Sequence, residues 1–325
     1  MRRALVTGAT GFVGRNLVEQ LVAADWDVTA LVRDRRSAAA ILPDRVRTVA
    51  GSVTDPDSVL AAIPSEVDAV FHIAGDTNLW SARNGAQTLV NVDGSRNVVA
   101  AALAKRARKL VATSSTAAFG FHQGRITEDT PSNAMATNIN YFRTKWLGEE
   151  EVRKGVNEGL DATIINPGHI IGPYDSHNWS RMIAMVEQGK LPGVPPGAGS
   201  FCHVRAVAAA HIAAVDRGRA GHNYLLGGTD ATFLEMVTII GRLTGKKTPK
   251  RPVPAFALKA LGRINEWMSF VTKREPDITP ESAALVTKRV FCDCSKAERE
   301  LGFQRVGLEE MLADCYTWMK WVQMI

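Results

Sequence analysis

The sequence predicts an α/β fold with a doubly wound parallel sheet and a smaller, mostly helical C-terminal domain. Three observations support this prediction. Short apolar runs alternate with helical patterns through the first half of the chain, as expected when helices cover both faces of a parallel sheet. A glycine-rich turn joins the first apolar run to the first helical pattern. After about residue 166 the composition changes, and mostly helical patterns follow a stretch rich in Gly and Pro.

The elements of the first half can be assigned in chain order. Apolar runs predict buried strands in RALVTGA, DVTALVR, DAVFHIAG, KLVATSS and DATIINPG. Helical patterns lie between them in GRNLVEQLVAA, SVLAAI, NVDGSRNVVAAALAKR and the segment that begins near Tyr141. Crossovers between parallel strands are right-handed, and this handedness gives the doubly wound arrangement.

The second half is assigned from the same patterns. Residues 189–200, GKLPGVPPGAGS, predict a loop because Gly and Pro recur throughout them. A helix is predicted in VRAVAAAHIAAVDRG and a strand in NYLLGG. Residues 232–275 are predicted to be mostly helical, and they are more hydrophobic than a simple amphipathic helix requires.

Composition excludes several classes of protein. No apolar run reaches 18 residues, so no membrane span is predicted. The net charge of +6 is spread along the chain, whereas a nucleic-acid binder would more often show a longer basic stripe with interleaved aromatics. A modest excess of this kind suits an anionic small molecule equally well. The four cysteines lack the spacing of a zinc site, so we predict no metal and reduced thiols. Glycines and a threonine interrupt the first apolar run, unlike in a secretory signal, and we therefore expect a cytoplasmic protein.

The first turn, in LVTGATGFVG, carries three glycines at regular spacing. Gly8, Gly11 and Gly14 lie between the first predicted strand and the first predicted helix. Residues without a Cβ permit a tight turn and a close approach of the backbone to a pyrophosphate. The free N–H groups and the dipole of the helix N-terminus also favour an anion. An ordinary glycine-rich turn is the alternative, but the strand–turn–helix context favours dinucleotide binding.

The end of the second strand indicates which dinucleotide binds. An acidic residue there would hold the ribose 2′-hydroxyl of NAD, whereas an arginine suits the 2′-phosphate of NADP. This strand ends in Arg33, and Arg35 and Arg36 follow closely. The pattern favours NADP(H), although the adjacent Asp34 could take the acidic role and a solvated basic turn is a further alternative.

Tyr141 and Lys145, in YFRTK, stand four residues apart on a predicted helix and therefore share one face. The phenol of a free tyrosine has a pKa near 10, so it is a poor acid or base at neutral pH. A nearby ammonium stabilises the phenolate, and we therefore expect Lys145 to lower the pKa of Tyr141. The strand that ends in ATSSTAAFG supplies a hydroxyl that could orient a substrate carbonyl.

Eight segments occur in an order typical of one superfamily: TGATGFVG, VFHIAG, NVDGSRNVV, ATSSTAAFG, YFRTK, NPGHIIGP, FCHVRAVAAAHIAA and DCSKAERELGF. Together they resemble the extended short-chain dehydrogenases/reductases, and within them the dihydroflavonol-reductase-like branch of the NAD-dependent epimerase/dehydratase family. The resemblance spans residues 4 to about 303. It implies a dinucleotide-binding Rossmann domain in residues 1–165 and a discontinuous substrate-binding lid in residues 166–325. Segments near 202–228 and 288–300 are expected to return to the first domain.

The resemblance also implies roles for individual residues. Tyr141 would be the general acid or base, Lys145 its activator, and Ser115 the group that hydrogen-bonds the substrate oxygen. Ser114 and Thr116 are neighbours that could be confused with Ser115. The expected cofactor-binding residues are Gly8, Thr10, Gly11, Phe12, Val13, Gly14, Arg33, Ser52, Val53, Ala74, Gly75, Asn91, Thr113, Tyr141, Lys145, Pro167 and Gly168.

Departures from the family pattern narrow the substrate. Ser52 stands where the family has an aspartate at the adenine, and Ala206 replaces a second family aspartate. No arginine precedes FCHV, where sugar-nucleotide epimerases clamp a diphosphate. Asn166 argues the other way, because it resembles an asparagine that meets a sugar diphosphate.

Large apolar residues are frequent in the predicted lid. Helical spacing predicts that most of them are core and that the rest line an apolar pocket. The set is Trp80, Trp179, Met182, Met185, Phe201, Phe256, Leu258, Trp267, Met268 and Phe270. The histidines near the cleft, His169 and His203, are expected to line it, whereas His72 is expected to pack in the core.

The preferred interpretation is an NADP(H)-dependent oxidoreductase that moves a hydride between nicotinamide and a ketone, aldehyde or secondary alcohol. An apolar, steroid-like or lipid-like substrate fits the lid. A nucleotide-sugar epimerase with tightly bound NAD is the alternative, and a non-catalytic dinucleotide sensor is a third interpretation. A small-molecule substrate is the expected partner, and a homodimer is possible. The amphipathic C-terminal segment could cap the fold, join a dimer or contact a membrane surface, and we expect it to cap the fold because helical stripes usually face a core.

Overall fold

A seven-stranded sheet, parallel throughout, forms the centre of the computed structural model, which describes residues 1–325. With strands and helices numbered in chain order, its members are β1 (Arg3–Thr7), β2 (Asp27–Val32), β3 (Arg47–Ala50), β4 (Ala69–His72), β5 (Leu110–Thr113), β7 (Ala162–Pro167) and β10 (Asn223–Leu226). Their order across the sheet is β3-β2-β1-β4-β5-β7-β10. The chain adds β2 and β3 on one side of β1 and the later strands on the other side, so the strand order reverses between β1 and β4. The predicted α/β fold with a doubly wound sheet is confirmed.

Helices cover both faces of this sheet. One face carries α1 (Phe12–Ala23), α2 (Arg35–Ala39), α8 (Val204–Arg217) and α12 (Ser295–Leu301). The other carries α3 (Pro56–Ala62), α5 (Gly94–Ala104) and α6 (Asn140–Asn157). Side chains alternate between the two cores, since Ala4 and Val6 of β1 pack on one face and Leu5 on the other.

Short helical segments lead from the sheet to the ligand-facing side. They are α4 (Asn84–Thr88), a π-helical turn (Leu89–Asp93) and the 3₁₀ turns Ser81–Arg83, Thr116–Phe119 and Ala134–Ala136. The π-helical turn runs directly into α5, where the sequence predicted one continuous helix. Turns of this kind are rare and occur frequently at functional sites.

A second sheet and a third core are built mostly from the C-terminal half. The sheet contains β6 (Arg125–Ile126), β8 (His169–Ile171), β9 (Ala198–His203), β11 (Thr229–Thr232) and β12 (Arg289–Cys292). Five further helices are α7 (Trp179–Glu187), α9 (Phe233–Thr244), α10 (Ala255–Thr272), α11 (Pro280–Val286) and α13 (Leu308–Trp321). The predicted loop at 189–200 is wrong at its end, because Ala198 already pairs with β11 and β12.

The C-terminal helix α13 caps the third core, as the sequence predicts. Leu308, Met311, Leu312, Cys315 and Met319 are buried against α7 and α9. The division of the chain into two domains stays a prediction. No helix in the protein is both long enough and apolar enough to cross a membrane.

Candidate active site

A large cavity runs along the carboxyl ends of the parallel strands. Its volume is about 1770 Å³, and its wall includes residues that directly follow β1, β2, β3 and β4 and the last residues of β5 and β7. Every residue predicted from the sequence to bind the cofactor or act in catalysis lines this cavity, with the exception of Asn91. Ligands of open α/β sheets bind at this edge, where the strand order reverses.

The glycine turn at one end of the cavity has no room for side chains. Gly8 has a φ of +69°, and a Cβ on it would lie 2.6 Å from the backbone nitrogen of Ala74. A Cβ on Gly14 would lie 2.0 Å from the carbonyl oxygen of Gly8. Gly11 precedes α1 without any side-chain cap, so the first N–H groups of the helix stay available to an anion. The turn therefore has the shape and the dipole that a pyrophosphate requires.

Arg33 and Asp34, at the end of β2, have different roles in the structure. Arg33 is exposed, lines the cavity and forms no ion pair. The Asp34 carboxylate caps α2 by accepting hydrogen bonds from the backbone N–H groups of Arg36 and Ser37, at 2.9 and 3.4 Å. These contacts and the Ser37 hydroxyl lower the pKa of Asp34, and the residue does not line the cavity. Of these two charged side chains, only Arg33 lines the cavity.

Tyr141 and Lys145 lie on the same face of α6, as the spacing predicts, and both line the cavity. Ser115 ends the loop after β5 and lies beside the phenol of Tyr141, while its hydroxyl accepts a hydrogen bond from Ala117 N–H at 3.1 Å. The Nζ of Lys145 donates to the carbonyl oxygen of Thr113 at 3.1 Å. A hydroxyl, a phenol and an ammonium thus converge on one region of the cavity wall.

The predicted lowering of the Tyr141 pKa is wrong for this structure. Burial raises the pKa of Tyr141 above its usual value, and interaction with the Ser115 hydroxyl only partly opposes that shift. Lys145 does not hydrogen-bond the phenol, since its ammonium donates to the Thr113 carbonyl instead. Tyr141 is therefore protonated at neutral pH, and it can act as an acid.

Lys145 is a buried cation with an altered proton affinity. Burial lowers its pKa to about 8, and the negative charge of Glu149, one turn further along α6, acts in the opposite direction. Gly75 leaves space for this side chain, because a Cβ there would approach Lys145 Nζ to 3.2 Å. The ammonium is present at neutral pH and is lost as the pH rises above about 8.

Asn91 does not line the cavity, contrary to its place among the predicted cofactor-binding residues. It lies on the π-helical turn, where its side-chain oxygen accepts from Asp76 N–H at 2.8 Å. Its amide donates to the Asp76 carbonyl at 2.9 Å and to the Thr144 hydroxyl at 3.1 Å. Because these contacts use the whole side chain, Asn91 fixes the loop after β4 against α6 from behind the cavity wall.

Asn166 is also turned away from the cavity. Its amide donates to Glu149 at 2.6 Å and to the Ser115 carbonyl at 3.1 Å, and its oxygen accepts from Asn223 at 2.8 Å. The residue is completely buried and does not line the cavity. Asn166, which in the sequence favoured a sugar diphosphate, therefore supports the loop that carries Ser115.

The histidines separate into different roles. His72 is buried between Thr7 and Ser95 and does not line the cavity, so its predicted core position is confirmed. His169 lines the cavity, where burial lowers its pKa to about 4 and keeps the ring neutral. His203 does not line it; the ring instead caps α8 and contacts Asp314 at 3.0 Å.

The far end of the cavity is lined largely by apolar side chains from the C-terminal half. Four of the predicted lid residues lie there: Trp179, Met182, Met185 and Leu258. The aromatic ring of Trp179 stacks on Phe233 and meets His169 edge-on. Two cations also line this end, Arg181, which pairs with Asp277 at 3.0 Å, and Lys190, which has no ion-pair partner.

The prediction that most large apolar residues of the lid are core is wrong for α10. Phe256, Trp267, Met268 and Phe270 are exposed at 76%, 70%, 50% and 67% of their surface. Only Gly262 and Ser269 of this helix are buried. A helical apolar pattern predicts burial, but it does not identify the surface that provides the burial.

Sequence reasoning missed Arg15 in the cavity wall. It directly follows the third glycine, and its guanidinium lies over the ring of Tyr174 at 3.8 Å. The Arg15 Nε is buried without a hydrogen-bond partner. The sequence did contain a signal for Arg15, because it is a cation near the start of a helix whose N-terminus is suited to bind an anion.

Comparison with known proteins agrees with this geometry. Among relatives, "Sterol demethylase protein B" of Methylococcus capsulatus is 30% identical over 97% of this chain and 98% of its own length. A "Putative dihydroflavonol 4-reductase" of Synechocystis is 29% identical over 97% and 94%. The solved structure "Crystal structure of gox2253" is 29% identical, with a TM-score of 0.83 over 99% of both chains.

A more distant solved structure shares only the fold. The UDP-glucuronic acid 4-epimerase of Bacillus cereus, solved with NAD, is 19% identical, with a TM-score of 0.77 over 98% of this chain and 99% of its own. The model of the "NAD dependent epimerase/dehydratase family" matches residues 4–227. With the glycine turn, the sheet order and the Tyr–Lys pair in place, the chain belongs to the NAD-dependent epimerase/dehydratase family of extended short-chain dehydrogenases/reductases and is an NAD(P)-dependent enzyme.

Proposed function

We propose that the protein is an NADP(H)-dependent oxidoreductase that converts a ketone or aldehyde to an alcohol, or the reverse, on an apolar substrate. One observation carries the proposal. The cavity joins the glycine turn at one end to an apolar wall at the other, and Ser115, Tyr141 and Lys145 line it as well. A cofactor and an uncharged substrate in this cavity would both lie within reach of the phenol.

The residues present fit the dinucleotide. The turn at Gly8, Gly11 and Gly14 would hold the pyrophosphate on the free N-terminus of α1. Ser52 and Val53 would border the adenine, and the loop at Ala74 and Gly75 would border the nicotinamide half. When bound, NADP(H) supplies or accepts the hydride that the protein's own side chains cannot provide.

The three polar residues would divide the remaining chemistry. Tyr141 stays protonated because burial raises its pKa, so it is ready to donate a proton to a carbonyl oxygen. Ser115 would hold that oxygen, and the Lys145 ammonium would place a positive charge beside the cofactor ribose. A phenol that holds its proton is the form that carbonyl reduction requires, whereas alcohol oxidation would require the phenolate.

Arg33 supports NADP(H) over NAD. The acidic residue that could have held a ribose 2′-hydroxyl, Asp34, is used as the cap of α2 and does not line the cavity. The guanidinium of Arg33 has no carboxylate partner and faces the same edge of the sheet. It is therefore available to pair with a 2′-phosphate.

The substrate class is inferred from the wall at the far end of the cavity. Trp179, Met182, Met185 and Leu258 present apolar surface, as expected for a largely uncharged ligand. Gly199 and Ser200 stand where an arginine would have clamped a diphosphate. A relative named for sterol demethylation supports a steroid-like or lipid-like ketone.

A nucleotide-sugar epimerase is the second candidate. Lys190 and Arg181 line the far end of the cavity, and cations at that end would suit a diphosphate. An epimerase retains its NAD through turnover, so the protein would purify with NAD that survives gel filtration. An empty protein that binds NADPH tightly and reduces steroid or long-chain 3-oxo ketones would favour the reductase and contradict the epimerase.

The cofactor assignment is tested with Arg33→Asp. The charge reversal replaces a charge-assisted pair with a repulsion, so NADPH affinity should fall about tenfold or more while NADH affinity changes little. Fluorescence titration of both cofactors measures this. Arg36→Asp is the matched control, because Arg36 is an exposed arginine three residues further along the chain that does not line the cavity. Equal NADPH affinity in Arg33→Asp and the parent would contradict the assignment.

A further inference from the structure

Helix α10 presents an apolar surface that the rest of the chain leaves uncovered. Its outward residues recur at helical spacing, so that they form one stripe from Phe256 to Val271 along this 18-residue helix. The stripe consists of Phe256, Ala260, Ile264, Trp267 and Val271, and Met268 and Phe270 flank it. A contiguous exposed apolar surface of this size marks an interaction site.

The inner side of α10 is fixed to the protein by polar contacts. Glu266 accepts a hydrogen bond from the Ser81 hydroxyl at 2.7 Å, and Ser269 accepts one from the Trp80 indole at 3.3 Å. Gly262 packs so closely that a Cβ on it would lie 2.9 Å from the Thr279 carbonyl oxygen. The helix is thus held by one side, and its apolar side is directed outward.

The segment of chain that carries the stripe is basic. Residues 245–275 contain eight basic and two acidic residues, and all eight basic side chains are exposed and form no ion pair. They are Lys246, Lys247, Lys250, Arg251, Lys259, Arg263, Lys273 and Arg274. The two acidic residues accept hydrogen bonds from uncharged groups, Glu266 from Ser81 and Glu275 from Asn78. The segment therefore has six more basic than acidic residues.

We propose that α10 docks on an anionic phospholipid bilayer, with its apolar stripe in the boundary between headgroups and acyl chains. An interfacial helix combines an apolar face of this kind with basic residues that attract anionic headgroups. A second copy of the chain fits the surface less well, because face-to-face pairing would bring two uncompensated basic sets together. The docking does not depend on the enzymatic activity.

The same helix connects the docking surface to the cavity. Ala257, Leu258 and Leu261 of α10 line the cavity, next to the outward stripe. A docked protein would therefore open its apolar cavity towards the lipid, so that an apolar ketone could enter without crossing water. This last step rests on the proposed function, whereas binding to vesicles does not.

Vesicle sedimentation tests the proposal with the full-length protein and no substrate. We expect binding to vesicles of equal phosphatidylglycerol and phosphatidylcholine, at least about tenfold weaker binding to phosphatidylcholine alone, and weakening by salt. The double variant Ile264→Glu with Trp267→Glu should bind the anionic vesicles at least about tenfold more weakly. NADPH binding, measured in parallel, should be unchanged and reports that the variant is folded.

Trp321→Glu is the matched control, since Trp321 is 77% exposed on the C-terminal helix and lies outside the stripe. It should bind vesicles like the parent. Equal vesicle binding by the parent and the double variant would overturn the proposal. So would a parent that ignores vesicles but forms a dimer that the double variant disperses, because the stripe would then bind a second copy. A parent protein that binds the vesicles but reduces none of the ketones tested would count against the proposed function alone.

Discussion

Two helices of equal length, α6 and α10, show opposite relations between polarity and burial. Each has 18 residues, but α6 buries eight of them, including Lys145, Glu149 and Glu151, whereas α10 buries two. The more polar helix lies inside the protein, and the more apolar helix lies on its surface. The usual distribution of residues is reversed in both cases, and each reversal coincides with a proposed binding surface.

The difference lies in where the partners are found. The charged residues of α6 have partners within the chain, since Glu149 accepts hydrogen bonds from Arg153, Asn166 and Asn223. Lys145 has the Thr113 carbonyl and a cavity in front of it. The apolar stripe of α10 has no partner within the chain. Of the buried charges of α6, Lys145 lines the cavity and is the one that indicates a small ligand, whereas the exposed apolar surface of α10 indicates a large binding partner.

The largest effect should come from removing the buried cation of α6. We expect Lys145→Met to lower turnover by about two to four orders of magnitude, because the ammonium beside the cofactor is lost. Thermal stability should be equal or higher, since burial opposes the charged form of this lysine. Steady-state kinetics and thermal unfolding measure the two effects. Lys154→Met, an exposed lysine of the same helix, is the control and should leave turnover unchanged; a matching loss there would contradict the assignment.

A matched pair of phenyl groups tests the contrast in burial directly. Phe142 on α6 is 2% exposed and packs against Phe121 with 4.8 Å between ring centroids, whereas Phe270 on α10 is 67% exposed. Phe142→Ala should lower the free energy of unfolding by about 3–5 kcal/mol. Phe270→Ala should change it by less than about 0.5 kcal/mol. Denaturant unfolding gives both values, and similar losses would mean that α10 is covered in the free protein.

The pH dependence of cofactor binding should show a smaller effect. Because the pKa of Lys145 is lowered to about 8, NADPH affinity should fall roughly tenfold between about pH 7 and pH 9 as the ammonium loses its proton. Unfolding takes up this proton between about pH 8 and 10.5, so the contribution of Lys145 to stability rises with pH across that window. NADPH titrations of the parent and of Lys145→Met across this pH range measure the change in affinity. An equal dependence of affinity on pH in both proteins would show that another group is responsible.

Local pattern was sufficient to predict much of the dinucleotide end. The glycine turn and the Tyr141–Lys145 pair depend on spacing within one strand–turn–helix or one helix, and spacing is visible in the sequence. Their prediction needed no knowledge of distant residues. The same holds for the alternating strands of the main sheet.

Features set by distant residues were not predictable in this way. The pKa of Tyr141 is raised because the surrounding fold buries the phenol. The four-residue spacing between Tyr141 and Lys145 contains no information about that burial. Asn91 and Asn166 face away from the cavity because partners far along the chain use their amides. The apolar residues of α10 are likewise exposed because no other element covers them, and the sequence of the helix alone does not show this.

The most direct test of the account is Tyr141→Phe, which removes one hydroxyl and preserves the ring. Cofactor titration and reduction of the best ketone from a steroid and long-chain panel should be measured on the same preparation. We expect NADPH affinity within about threefold of the parent and turnover lower by about three orders of magnitude or more, because the proton donor is gone. Turnover within tenfold of the parent would contradict the assignment of Tyr141 as the acid.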